Sequence, residues 1–161
     1  MSDDQIITLS RALAAARLAD MPSDDVPIDR ESYELGDSLS YAVCEMGERD
    51  PERVKRIVQH CANSEAKSDW EFAAYATPGV VDHDWEFVRD TLIRFVTDPK
   101  FKFDQAREHA EDLIIPDLMR DQLTREQVVD FNAALMDAGA EQPIMPSVDR
   151  DDPTNNPWFN R

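Results

Sequence analysis

Two of the three tryptophans and most of the phenylalanines of this chain fall between Ala66 and Ile115, so the apolar core is expected to be assembled on that stretch. Within it, Trp85, Val88, Leu92, Phe95 and Val96 recur at the three- and four-residue spacing that puts side chains on one face of an α-helix. Phe87 lies off the stripe, which points to a central helix covered on more than one side.

The flanking segments carry helix start and stop signals. Ser2 and Gln5 have capping-box spacing, in which each side chain satisfies the other residue's backbone N–H. Ile6, Leu9, Leu13 and Ala16 then predict one apolar face of a first helix ending near Ala19. Met21 to Ile28 holds two prolines and reads as a loop. Asp29 is placed to cap a second helix that turns Leu35, Leu39, Ala42, Val43 and Met46 inward and stops at Gly47, as a left-handed C-terminal cap. Asp50-Pro51 starts a third, with Val54, Ile57, Val58 and Cys61 as its buried stripe. The short connection makes these two helices antiparallel neighbours.

A fourth helix, from about Glu65 to Ala76, should end before Pro78-Gly79. Asp84 can cap the central helix, which closes at Asp98-Pro99. Asp104 can cap a sixth, carrying Ala106, Ala110, Leu113 and Ile114. Pro116 lacks a backbone N–H, so that helix is expected to end or kink near Ile115. Thr124 with Gln127, and Leu123 with Val128, have the spacings of a capping box and a hydrophobic staple, and delimit a seventh helix ending at Gly139. From Ala140 onward there are four prolines and no periodicity, which reads as an extended tail. With 161 residues, 42% of them hydrophobic, the chain can bury a core without disulfides or metal. The expected fold is all-α: about seven helices in antiparallel pairs forming a compact array, a single domain over residues 1–139, followed by an extended proline-rich tail over 140–161.

The units LGDSLSYAVCEMGERDPERVKRIVQHC and FVRDTLIRFVTDPKFKFDQAREHAEDL share an order of amphipathic helix, Asp-Pro turn and second amphipathic helix, the turns being Asp50-Pro51 and Asp98-Pro99. In this the chain resembles HEAT-type helical repeats. The resemblance implies a stacked helical array that binds protein along a face, with no catalytic residue to carry over.

Chemistry-bearing residues do not cluster. His83 lies between Asp82 and Asp84, but three adjacent residues cannot all converge on one ion. His109 and Asp112 are one helical turn apart without a Glu-x-x-His or His-x-x-x-His partner. Cys44 and Cys61 sit on apolar stripes, where a thiol behaves as a small hydrophobe, and His60 beside Cys61 points about 100° away from it. No phosphate-cradling glycine motif occurs. The expectation is a non-enzyme with no catalytic residues, no cofactor and no metal. The repeated tetrapeptides Asp69-Trp70-Glu71-Phe72 and Asp84-Trp85-Glu86-Phe87 are read as core packing rather than a ligand cage.

Charge is the other strong signal. Thirty-four acids against seventeen bases give a net charge of −17, which disfavours nucleic acid and anionic membranes and favours basic partners. From Asp20 to Asp50, ten acids face only Arg30 and Arg49. A solvated surface and a salt-loving or GC-rich source fit the same composition equally well. The N-terminus lacks the pattern of a signal peptide, and no apolar run is long enough to cross a bilayer, so a soluble, cytoplasmic protein is expected.

Taken together, these features predict an acidic protein-binding module that blocks a basic, nucleic-acid-binding or nuclease partner, as immunity-type inhibitors do. The alternative is a helical adaptor or scaffold subunit of a larger assembly. The candidate partner-binding residues are Asp20, Asp24, Asp25, Asp29, Glu31, Glu34 and Asp37, with Trp158 and Phe159 in the tail. Those two aromatics either dock back on the body, helped by Ile144, Met145 and Val148, or anchor a partner.

Overall fold

The computed structural model describes residues 1–19 and 30–147, with side chains at 17–19 and 30–37 outside the description. The fold is all-α, and the described residues contain no strand. Two compact units divide the chain, Met1–Val88 and Arg89–Arg161.

In the first unit, α1 (Asp3–Ala19), α2 (Arg30–Gly47), α3 (Pro51–Asn63) and α4 (Lys67–Ala76) are followed by a 3-10 turn (Thr77–Val80) and the start of α5 (Trp85–Thr97). Helix α1 starts on the expected capping box: Ser2 N–H donates to Gln5 Oε1 at 2.8 Å and Gln5 N–H to Ser2 Oγ at 3.3 Å. Its buried face is Ile6, Ile7 and Ser10, with Leu9 and Ala16 exposed. The inward direction is thus rotated from the predicted stripe, with Ile7 buried in place of Leu9, and Ser10 is tolerated on the buried face because its hydroxyl donates to Ile7 O at 2.9 Å.

Helix α3 follows its pattern closely. Asp50 accepts from Arg53 N–H, Pro51 occupies the first turn, and Val54, Ile57, Val58 and Cys61 are buried. It packs most extensively on α4, whose Trp70, Phe72, Ala73, Ala74 and Ala76 are buried in turn.

Gly47 does not form a left-handed cap; Gly139 is the glycine with positive φ among the described residues. Gly47 is instead the last residue of α2, where a Cβ would collide with the Gly79 carbonyl oxygen, while a Cβ on Gly79 would lie 2.6 Å from Cys44 Cα. Two glycines let the end of α2 and the 3-10 turn meet backbone to backbone, and Cys44 Sγ donates to Tyr75 O at 3.0 Å across the same contact.

The second unit takes up the rest of α5, a 3-10 turn (Pro99–Phe101), α6 (Gln105–His109), a π-helical turn (Ala110–Ile114), α7 (Ile115–Asp121) and α8 (Arg125–Asp137). Asp98-Pro99 therefore opens a single 3-10 turn, with Asp98 accepting from Lys100 N–H at 2.8 Å, and the next helix waits for its own cap at Asp104. This departs from the Asp50-Pro51 unit, where the proline begins the second helix directly. The 3-10 turn buries Phe101 against Phe95, ring centroids 4.8 Å apart.

Pro116 suggested that the helix ends or kinks near Ile115; it does not end there, and its hydrogen-bond ladder is interrupted just before Ile115 by a π-helical turn. Helix α6, the π turn and α7 form one uninterrupted run to Asp121. The π turn shifts the hydrogen-bond register by one residue, Ile115 N–H reaching Ala110 O, and leaves Pro116 in the first turn of α7. There a missing N–H removes nothing the helix needs. Helix α8 has the full Thr124–Gln127 capping box and ends in paired bonds from Gly139 N–H to Met136 O and from Ala140 N–H to Leu135 O.

Beyond it, residues 140–147 run without regular structure along α7 and α8. The Asn132 carboxamide pairs with Ile144 through both its backbone N–H and C=O at 2.9 Å, and Ser147 N–H donates to Pro116 O at 3.0 Å. Ile144 is buried while Met145 is exposed. Val148 lies outside the described residues.

Candidate functional site

Most of the acidic stretch singled out by the sequence escapes description. Asp20, Asp24, Asp25, Asp29, Trp158 and Phe159 lie outside the described residues, as do the side chains of Glu31, Glu34 and Asp37, whose backbone belongs to α2. At the described end of the stretch, Glu45, Glu48 and Asp50 are exposed, and Asp50 is committed to capping α3.

The most distinctive charged arrangement was not legible as one. Asp69, on the first turn of α4, is fully buried and accepts from Arg11 of α1: Nε to Oδ1 at 2.9 Å, Nε to Oδ2 at 3.2 Å and Nη2 to Oδ2 at 2.7 Å. Burial alone would push the Asp69 carboxyl up. The hydrogen bonds from Arg11 and Ser64, with the charges of Arg11 and His60, outweigh it and hold the carboxyl below its ordinary range. The available signal was positional: Asp69 shares a helical stripe with the buried residues Phe72, Ala73 and Ala76, and an acid on an apolar stripe requires a partner.

Arg11 also lines an open depression of about 730 Å³ between α1 and the outer face of α3. On α3, Arg56, Gln59, His60 and Asn63 recur at helical spacing, are all exposed, and lie opposite the buried stripe. Asp3 of α1 accepts from Arg53 Nε at 2.6 Å, while Arg56 Nη2 approaches it only to 3.7 Å.

The second tetrapeptide is used differently. Asp84 precedes α5 and accepts from Phe87 N–H at 3.0 Å, and Lys55 Nζ lies 2.7 Å from its other oxygen. The Lys55 hydrogen bond, then that from Phe87, lowers the Asp84 carboxyl from its usual range. Because that carboxylate is committed to Lys55 and to the helix, it does not converge with exposed His83 and Asp82 on an ion. His109 is half-buried on α6. Among the described residues, no group of three or more His, Cys, Asp or Glu is placed to hold a metal ion.

Both cysteines are free thiols. Burial pushes Cys44 up to about 11 and Cys61 up to about 12. At neutral pH both remain protonated, the unreactive form for nucleophilic chemistry.

No helix among the described residues is long and apolar enough to cross a membrane. No protein-family model matches the chain, and neither a curated protein nor a solved structure matches it.

Proposed function

We propose that this chain is an acidic protein-binding module without enzymatic activity, which blocks the basic, nucleic-acid-binding or nuclease surface of a partner protein in the cytoplasm. The observation that carries the reading is charge: −17 over 161 residues, with ten acids against two arginines between Asp20 and Asp50. Such an excess of negative charge steers a basic protein into encounter and competes with the phosphate backbone that it would otherwise bind. The protonated thiols, Cys61 buried and Cys44 half-buried, fit a binding role better than a catalytic one.

The test is to immobilise the chain, capture partners from its own host and measure the affinity of each purified partner at low and high ionic strength. The reading expects partners of basic composition whose affinity falls at least about tenfold between 50 and 500 mM salt, because the screening length shortens to a few ångströms over that range. Replacing Asp20, Asp24 and Asp25 by asparagine together should reduce the salt dependence. Capture of neutral or acidic proteins alone would sink it.

A second reading, an adaptor or scaffold subunit, is favoured by Val129 and Met136, seven residues apart on one side of α8 and both exposed. Binding through such apolar anchors would vary little with salt and would be lost in a Val129→Asp variant.

A further inference from the structure

We propose that the depression between α1 and α3 is a binding site for a phosphate-type oxyanion, held by the guanidinium groups of Arg11 and Arg56 and the imidazole of His60. This inference stands independently of the partner reading above, which concerns acids elsewhere in the chain.

In a chain with twice as many acids as bases, this depression gathers two arginines and a histidine beside a single carboxylate, Glu65. Arg11 is preorganised. It pairs with buried Asp69 through Nε and Nη2, which leaves Nη1 outside that pair, on a side chain still 46% exposed. A guanidinium fixed on one edge loses little freedom when its other edge meets an oxyanion, and its planar fork matches phosphate oxygens.

Arg56 is weakly held, since Asp3 makes its close bond with Arg53 and stands 3.7 Å from Arg56, whose side chain is 61% exposed. Gln59 places a carboxamide on the same face of α3, able to donate to further oxygens. An oxyanion has four tetrahedral oxygens to satisfy, and these donors approach from two helices rather than one. The open form of the depression suits a phosphate carried on a larger molecule as well as the free ion.

The experiment is an amide and arginine side-chain NMR titration of the full chain with inorganic phosphate at constant ionic strength, with chloride as the control and a nucleoside monophosphate as a second probe. Saturable shifts at Arg11 Nε and at the Gln59 to Glu65 amides are expected with phosphate and not with chloride. Arg56→Gln and His60→Gln should together weaken binding by about tenfold. Both positions are exposed, so helical content should be unchanged and the loss attributable to the site. Glu65→Gln, which removes the one carboxylate lining the depression, should tighten binding severalfold. Tighter binding of the nucleoside monophosphate identifies an esterified phosphate as the ligand, and equal binding identifies the free ion. Shifts equal to those from chloride, or phosphate affinity unchanged in the double variant, would overturn the proposal.

Discussion

Asp-Trp-Glu-Phe occurs at residues 69–72 and again at residues 84–87, and the two copies enter their helices three residues apart in phase. In the first, Asp69 is already the third residue of α4, so its side chain falls on the stripe shared with Phe72, Ala73 and Ala76 and is buried against Arg11. In the second, Asp84 stands just ahead of α5 and turns its carboxylate back onto Phe87 N–H. Trp70 and Phe72 are buried, while Trp85 and Phe87 are only half so. Identical residues therefore make a buried tertiary pair in one copy, and in the other a local helix cap with a solvent-open pair to Lys55. The place where the helix begins decides which.

The largest test of that difference is the tryptophans. Trp70→Ala removes a buried indole whose Nε1 donates to Ser64 O at 2.7 Å, and should cost about 3–5 kcal/mol in urea unfolding. Trp85→Ala, at a half-buried position, should cost about half as much. Equal losses would break the comparison.

Between the copies, the chain is pinned where Gly79 meets α2. Gly79→Ala sets a methyl group 2.6 Å from Cys44 Cα, with backbone rather than a flexible side chain in the way. A loss of about 3 kcal/mol is expected. A melting temperature within a degree of the parent would show that the 3-10 turn can move away from α2 freely, and that the spacing of the copies is not fixed by it.

Next is the ion pair, where the order of two losses matters more than their sizes. Arg11→Ala leaves a fully buried carboxylate without its main partner and should cost about 3 kcal/mol, the low end for a broken buried pair because Ser64 still supports Asp69. Asp69→Ala leaves Arg11 half in water, where it can resolvate, and should cost less, about 2 kcal/mol. The pair also has a pH signature. The folded Asp69 carboxyl titrates below its unfolded value of about 3.9. Its stabilisation is therefore complete above pH ~4 and lost as pH falls through the folded value. The gap in stability between the parent and Asp69→Ala should narrow below pH ~4 and stay constant from pH 5 to 8.

What the sequence made legible follows the same division between local and tertiary causes. The caps at Ser2, Asp50, Asp84, Asp104 and Thr124 each involve partners within a few residues, and spacing alone located them, as it did the end of α8 near Gly139, though not that glycine's positive φ. Helix α2 does stop at Gly47, but not through a left-handed cap: the reason for a glycine there is Gly79, on another element. The continuation through Pro116 depends on a π turn that no residue pattern announces. Arg11 and Asp69 meet across 58 positions, and nothing in either neighbourhood names the other. The acids proposed for partner binding rest on net charge, which specifies a field and not a geometry.

The smallest expected effect separates the two duties of Asp84. Asp84→Ala removes both the bond to Phe87 N–H and the pairing with Lys55, and should cost about 1 kcal/mol, the usual value of an N-cap. Asp84→Asn keeps an oxygen that can cap α5 but carries no charge for Lys55. Since Asn caps a helix about as well as Asp, and an ion pair open to solvent contributes little, the asparagine variant should unfold close to the parent at neutral pH. It should also lack the small acid-side loss that the lowered Asp84 carboxyl gives the parent below pH ~4. If the asparagine variant instead falls as far as the alanine one, the Lys55 pair rather than the cap is what holds the start of α5. Asp84 would then resemble Asp69 in kind, and the contrast between the two copies would reduce to depth of burial.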